Sequence, residues 1–297
     1  MPDVFVKFWG VRGSIPTPGQ GTRRYGGNTS CVEIRIGDTV LVCDAGTGIR
    51  ELGVDLARRG APQLDLHLLF SHTHWDHIQG FPFFEPAYDP NTELNIWDLE
   101  EAGGRVHKLL SGQMSEDYFP VTFAQLGARI VPQGLQREPQ EIGGVIVKHL
   151  PQPHPGGSAA FSFEVGPTKI VYCTDSELDL LLADRDHSIA HPEEHRTLPD
   201  EWIEFVRDAD LLIGDGQYTD TSYQRHLGWG HPRANTMVDL ALEAGVEQLA
   251  VFHHDPMETD PRLEEKLADA STRAAKGNSS LVLFGAREGL ELKFAGA

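Results

Sequence analysis

The run His72-Thr73-His74-Trp75-Asp76-His77 sets four strong metal-binding side chains within six positions, directly after the apolar run Leu64 to Phe70. Imidazole nitrogens and a carboxylate suit zinc, manganese or iron, and a loop can turn alternate residues inward where a continuous helix cannot. The spacing suggests more than one metal ion. Further donors stand where later apolar runs end: His154 in Pro151-Gln152-Pro153-His154-Pro155-Gly156-Gly157, Asp175 in Val171-Tyr172-Cys173-Thr174-Asp175, and the pair His253-His254 after Leu249 to Phe252. Taken one at a time these are weak signals, because a lone histidine is more often a hydrogen-bonded structural residue and a strand-end aspartate more often a turn cap.

The elements that must position these residues follow from periodicity. Val4 to Trp9 alternates like a strand, the Gly- and Pro-rich segment Gly10 to Asn28 follows, and Cys31 to Ile36 with Thr39 to Cys43 reads as a hairpin through Gly37-Asp38. Ile49, Leu52, Leu56 and Ala57 recur at helical spacing, and the strand Leu64 to Phe70 then carries the metal loop. The middle, Thr92 to Val131, mixes a short strand, a helix around Glu100 to Leu110 and a turn at Tyr118-Phe119-Pro120. Strands are expected at Val145 to Leu150, Ala160 to Val165 and Lys169 to Cys173. The second half then alternates: helix Asp200 to Arg207, strand Asp210 to Ile213, a loop to His231, helix Ala234 to Glu243, strand Gln248 to Phe252. Asp260 and Pro261 read as N-cap and first residue of a helix to about Ala275, and Leu281 to Phe284 and Leu290 to Phe294 close with strands. Neither repeat nor linker interrupts the pattern, so residues 1–297 read as a single domain. His187, His191 and His195 lie in the acidic segment Asp184 to His195, which reads as a solvated loop.

Composition bounds the setting. With 297 residues and 40% hydrophobic content the chain can bury a core without staples, and Cys31, Cys43 and Cys173, lacking CxxC spacing and set in or beside apolar runs, read as small buried hydrophobes. No signal peptide or long apolar stretch is evident, which reads as a soluble, cytoplasmic protein with no membrane association. The formal charge of −19 repels polyanions, so bulk nucleic acid is expected to be a poor partner, whereas a small, singly charged phosphodiester is compatible with a metal pair that dominates the local field.

In order and spacing, HxHxDH followed by His154, Asp175 and His253 or His254 resembles the metallo-β-lactamase superfamily over essentially the whole chain. Asp44-Ala45-Gly46-Thr47-Gly48 looks like the family's early Asp-containing turn, with Asp44 placed to orient a ligand. Phe8-Trp9-Gly10-Val11-Arg12-Gly13-Ser14, Tyr25-Gly26-Gly27-Asn28-Thr29-Ser30, the loop Gly228-Trp229-Gly230-His231 and the run Ala244-Gly245-Val246 leading into His253 are similar to the phosphodiesterase branch that contains RNase Z and the phosphoribosyl cyclic phosphodiesterases. The resemblance implies an α/β (α+β) fold, a four-layer αββα sandwich with a metal pair at one edge. It implies two divalent ions, zinc first and manganese or iron as alternatives. His72, His74 and His154 would hold one ion, Asp76, His77 and His253 the other, and Asp175 would bridge; His253 is favoured over His254 because it directly follows the apolar strand.

The same resemblance implies a hydrolase acting on a small phosphodiester, of cyclic nucleotide or ribosyl cyclic phosphate type, by attack of a metal-bridged hydroxide, with Asp76 and Asp175 in the catalytic centre. His231 matches the position of the RNase Z histidine that serves the leaving oxygen. Arg12, Asn28 and Thr29 are candidate contacts to phosphate or base from the Gly-rich N-terminal loop, and Asp215 and Gln217 have an equal claim. The alternatives are an RNase Z-like endoribonuclease on tRNA precursor, against which stands the lack of a long Lys/Arg-rich arm, and a metal-binding sensor without turnover. A homodimer is compatible with this reading.

Overall fold

Alternation along Val4–Gly10 (β1) buries every second side chain, the burial pattern of a strand with one face in a core. In the computed structural model, which describes residues 2–59, 65–99, 104–277 and 280–296, β1 belongs to the first of two compact units. That unit comprises Met1–Pro18, Gly26–Gly144 and Arg287–Ala297; the second comprises Gly19–Tyr25 and Val145–Ala286.

In the first unit β1 lies between the C-terminal strand Glu291–Phe294 (β14) and Cys31–Ile36 (β2), and the sheet continues through Thr39–Cys43 (β3), Asp65–Leu69 (β4), Glu93–Leu99 (β5) and Arg129–Leu135 (β6). The pairs from β14 to β3 are antiparallel, and those from β3 to β6 are parallel. The parallel register sets Cys43 opposite Leu69, so the segments leaving β3 and β4 emerge side by side. Helices Ile49–Arg59 (α1), the single turn Trp75–Ile78 (α2) and Arg105–Gln113 (α3) accompany the sheet, and a short strand Gln140–Ile142 (β7) ends the central segment. Ile49, Leu52 and Leu56 of α1 join Val40, Val42, Leu66 and Leu68 in one apolar core. The expected helix around Glu100 to Leu110 is realised as α3; residues 100–103 lie outside the described ones.

The second unit orders its strands as Val282–Gly285 (β13), Gln248–Phe252 (β12), Leu211–Asp215 (β11), Thr168–Cys173 (β10), Ser158–Val165 (β9) and Val145–Gln152 (β8). β10 to β13 are parallel, and β9 runs against both neighbours, so β8 points the same way as β10 and all of β8, β10, β11 and β12 end at one edge. Helices Arg185–Ala190 (α4), Asp200–Val206 (α5), Asp220–Tyr223 (α6), Ala234–Glu243 (α7) and Asp260–Lys276 (α8) complete it. Apolar residues of α5, α7 and α8 share a second core with those of β10 to β12. The N-cap of α8 is Thr259, one residue before the expected Asp260, which opens the first turn with Pro261. Two mixed sheets with helices give the α/β class expected from the sequence. All three cysteines are free and buried, and among the described residues no helix is long and apolar enough to cross a membrane.

Candidate metal centre

In the first unit the parallel pairing of β3 and β4 brings Asp44 beside Ser71. The Asp44 carboxylate accepts the Ser71 N–H at 2.8 Å on Oδ1, and on Oδ2 the Ser71 hydroxyl and His77 Nδ1, each at 2.8 Å. Because the Ser71 hydroxyl donates to Asp44, its oxygen is left to accept from His72 Nδ1, 3.1 Å away. One carboxylate therefore sets the tautomer of two histidines, putting the proton on Nδ1 and the lone pair on Nε2. The His72 ring stands 4.5 Å from that of His74 and 4.3 Å from that of His77, while His77 Nε2 lies 3.3 Å from Asp76 Oδ2. Asp76 is itself oriented by the Ser14 N–H at 2.7 Å, which gives the N-terminal Gly-rich loop a positioning task. Gly46 permits this packing, since a Cβ there would lie 2.3 Å from the Asp76 carbonyl oxygen.

The second unit repeats the device. His154 Nδ1 donates to the Gly230 carbonyl at 2.9 Å and His253 Nδ1 to Gln217 Oε1 at 2.8 Å, so each carries its lone pair on Nε2. These two Nε2 atoms face the Asp175 carboxylate at 3.7 and 3.2 Å. The neighbouring His254 uses Nε2 on the Ala286 carbonyl at 2.7 Å. A neutral imidazole lone pair and a carboxylate oxygen are both acceptors and repel at such distances unless a cation or a proton lies between them. Buried imidazoles and carboxylates so arranged suit a divalent transition metal, and the residues present fit that group in both units.

His231 Nδ1 donates to Asp215 Oδ2 at 2.8 Å, and its ring stacks on that of His253 with centroids 4.8 Å apart. Asp215 also accepts the Asp175 N–H at 3.0 Å and the Gln217 N–H at 2.9 Å. Asp175, Asp215, His231 and His253 thus form one buried group whose ligand atoms lie within 4.8 Å of each other. The loop bearing His231 is fastened by Glu177, which accepts the Gly228 N–H at 2.7 Å, the Gly230 N–H at 2.8 Å and the Tyr223 hydroxyl at 2.9 Å. Burial, reinforced by Asp179 and Glu177, holds the Tyr223 phenol far above its usual range, so it remains a donor. Gly230 has φ +93°, and a Cβ there would fall 2.3 Å from His154 Nδ1.

Backbone strain marks the same places. Asp44, Asp175 and His253 have φ of 63°, 53° and 54°; Asp44 and His253 directly follow β3 and β12, and Asp175 stands two positions after β10. Non-glycine residues in the left-handed region cost about 1–2 kcal/mol each, and such residues cluster where geometry serves function.

Some expected site residues have other tasks. Arg12 is fully buried with Nε donating to the Gly26 carbonyl at 2.9 Å; Asn28 donates from N and Nδ2 to Glu288; Thr29 and Thr47 exchange N–H to Oγ1 bonds at 2.9 Å. These contacts give the three residues a part in building the N-terminal loop. His187, His191 and His195 are exposed, and His187 pairs with Glu194 at 2.9 Å. Sequence reading did not find Ser71, Glu177 or Asp179; the acidic alternation Asp175-Ser176-Glu177-Leu178-Asp179 was the available signal for the last two.

A family model described as a Beta-lactamase superfamily domain matches residues 39–254. Ribonuclease Z of Haloarcula marismortui is 27% identical over 276 residues, covering 84% of this chain and 85% of the relative. Among solved structures, the metallo-beta-lactamase fold protein YhfI of Bacillus subtilis superposes with a TM-score of 0.71 at 19% identity, covering 99% of this chain and all of the other. A diphosphatase of the PhnP family gives 0.66 at 16% identity, covering 98% and 97%. The ribonuclease relative corrects the expectation that bulk nucleic acid is a poor partner. The net charge of −19 sums over a surface on which physiological salt screens charges beyond about 8 Å from each other, so it has no power to exclude a locally docked polyanion.

Proposed function

The chain belongs to the beta-lactamase superfamily, and from that premise we propose that this hydrolase cleaves phosphodiester bonds with the help of divalent metal ions. The observation that carries the reading is the shared setting of His77, His154 and His253, each with Nδ1 on a protein oxygen and Nε2 turned to a carboxylate at 3.2 to 3.7 Å.

The proposed ligands of two divalent ions are His72, His74, Asp76 and His77 from the first unit and His154, Asp175 and His253 from the second. When bound, such ions polarise phosphoryl oxygens and lower the pKa of water from about 15.7 toward 7. The protein's own residues do the rest. Asp44, Gly230 O and Gln217 fix which imidazole nitrogen carries the proton, and so which can bind a cation. Asp215 holds a proton on His231 Nδ1 and stabilises the imidazolium form, which suits His231 to deliver a proton from Nε2 to a leaving oxygen. Relatives named Ribonuclease Z support RNA as a substrate.

The test is hydrolysis of bis(p-nitrophenyl) phosphate, a 2′,3′-cyclic nucleotide and a tRNA precursor by chelator-stripped protein and by protein reloaded with zinc or manganese. Turnover that vanishes on stripping and returns on reloading is expected. Metal-replete protein that turns over none of the three would overturn the reading and leave a metal-binding protein without turnover; a preference among the three identifies the ester class.

A further inference from the structure

The residues that separate the metal-loop donors also have a surroundings of their own. Trp75, between His74 and Asp76, is 74% exposed, and with Phe83, Tyr118, Phe119, Leu109 and Ile78 it lines a cavity of about 610 Å³ within the first unit. Phe83 and Tyr118 are 58% and 80% exposed, and Phe83 meets Phe119 edge to face with centroids 5.4 Å apart. Exposed aromatics gathered on one concavity are costly to leave against water and mark a binding surface, and the volume is that of a small-molecule pocket. Although the chain carries 69 charged residues of 297 in a −19 total, no charged side chain is among the described residues lining this cavity. Its polar side-chain groups are neutral: the Thr73 hydroxyl, the Gln79 and Gln113 amides, the Trp75 indole N–H and the Tyr118 hydroxyl.

We propose that this cavity receives the flat, neutral ring of the substrate, a nucleobase flanking the scissile phosphodiester, stacked on Trp75 and Tyr118. A phosphate has no partner in an uncharged aromatic cavity, whereas every base has a π face to stack and edges that an amide can read. Thr73 and Trp75 of the lining alternate in sequence with the donors His72, His74 and Asp76, which sets the cavity beside the metal loop. The assignment rests on the phosphodiesterase reading above and names its substrate class.

The experiment compares a short oligoribonucleotide with the same oligomer made abasic on both sides of the scissile phosphate, measuring Kd and kcat/KM for the metal-loaded wild type and for Trp75→Ala, Tyr118→Ala and Trp75→Phe. The wild type should prefer the base-bearing oligomer. Each alanine variant should shrink that preference about 5- to 150-fold, the range carried by base stacking on an aromatic side chain, and Trp75→Phe, which keeps a π face, should retain most of it. No wild-type preference, or a preference unchanged in both alanine variants, overturns the proposal; the latter result together with altered sedimentation would assign the surface to self-association. Cleavage of both oligomers alike would sink the pocket and spare the hydrolase. Trp75-dependent binding of the base-bearing oligomer without cleavage of either would do the reverse.

Discussion

Asp44 accepts three hydrogen bonds within the first unit and is 1% exposed, so its removal should loosen His72 and His77 together. Partners that orient metal-binding histidines typically carry about 10- to 100-fold in affinity, and Asp44→Ala should lose metal by that factor in a competition titration with a chelator. Unchanged affinity would mean that Asp44 only caps its strand. At His231 the expectation is reversed: metal content is kept and chemistry slows. General-acid assistance contributes about 10²- to 10⁴-fold, so His231→Ala should lose that much kcat on an alkyl-leaving ester and far less on bis(p-nitrophenyl) phosphate, whose leaving group needs little protonation. Equal losses on both, or a loss of bound metal, would make His231 a ligand instead. The cysteines give a separate check. Burial, with nearby carboxylates, pushes the thiols of Cys31, Cys43 and Cys173 upward, which lowers the thiolate fraction at any given pH. At pH 8 a disulfide reagent should leave the native protein unmodified and titrate three thiols after unfolding; rapid native labelling would show that one of them opens to solvent.

At the level of elements, two carboxylates hold a loop and a helix start. Glu177 ties down Gly228 and Gly230, and Asp179 accepts the N–H and Nε of Arg233 at 2.9 and 2.8 Å just before α7. Glu177→Ala would strand the buried Gly230 N–H and Tyr223 hydroxyl, each costing about 1–3 kcal/mol without a partner, while the N–H of exposed Gly228 can turn to water, so denaturant unfolding should show a loss of about 2 kcal/mol or more. A variant unfolding at the wild-type midpoint would show that the loop does not depend on that carboxylate. Elements with a clean period were readable in the chain: α7 and β12 were expected at Ala234 to Glu243 and Gln248 to Phe252, and both are found there. In the stretch from Thr92 to Val131 a short strand and a helix were expected, but β6 was not, because it carries exposed and half-buried residues with Pro132 and Gly134 inside it and presents no sustained alternation.

For the whole molecule, metal binding should act as a folding ligand. A cation at about 1,000 times its Kd stabilises the state that binds it by roughly 4 kcal/mol, so stripped protein should melt several degrees below zinc-loaded protein. Identical melting curves would show that no structured site depends on the ion. The sequence by itself determined the types of donor and their order, since HxHxDH, His154, Asp175 and the paired histidines at 253 and 254 are local patterns at the ends of apolar runs. It also determined the α/β class, because side-chain alternation and helical spacing are properties of a few consecutive residues. Tertiary structure decided which strand ends are neighbours. The parallel register of β3 and β4 joins Asp44 to Ser71 and His72; the fold brings Glu177 to Gly228 and Gly230 and gathers Trp75, Phe83 and Tyr118 around one cavity. It also gave His254 the Ala286 carbonyl while turning His253 to Asp175. The physical reason is that a hydrogen bond or a shared cavity depends on distance in space, which strand order and register set, whereas a chain read in one dimension carries only the chemistry of each residue and the period of its neighbours.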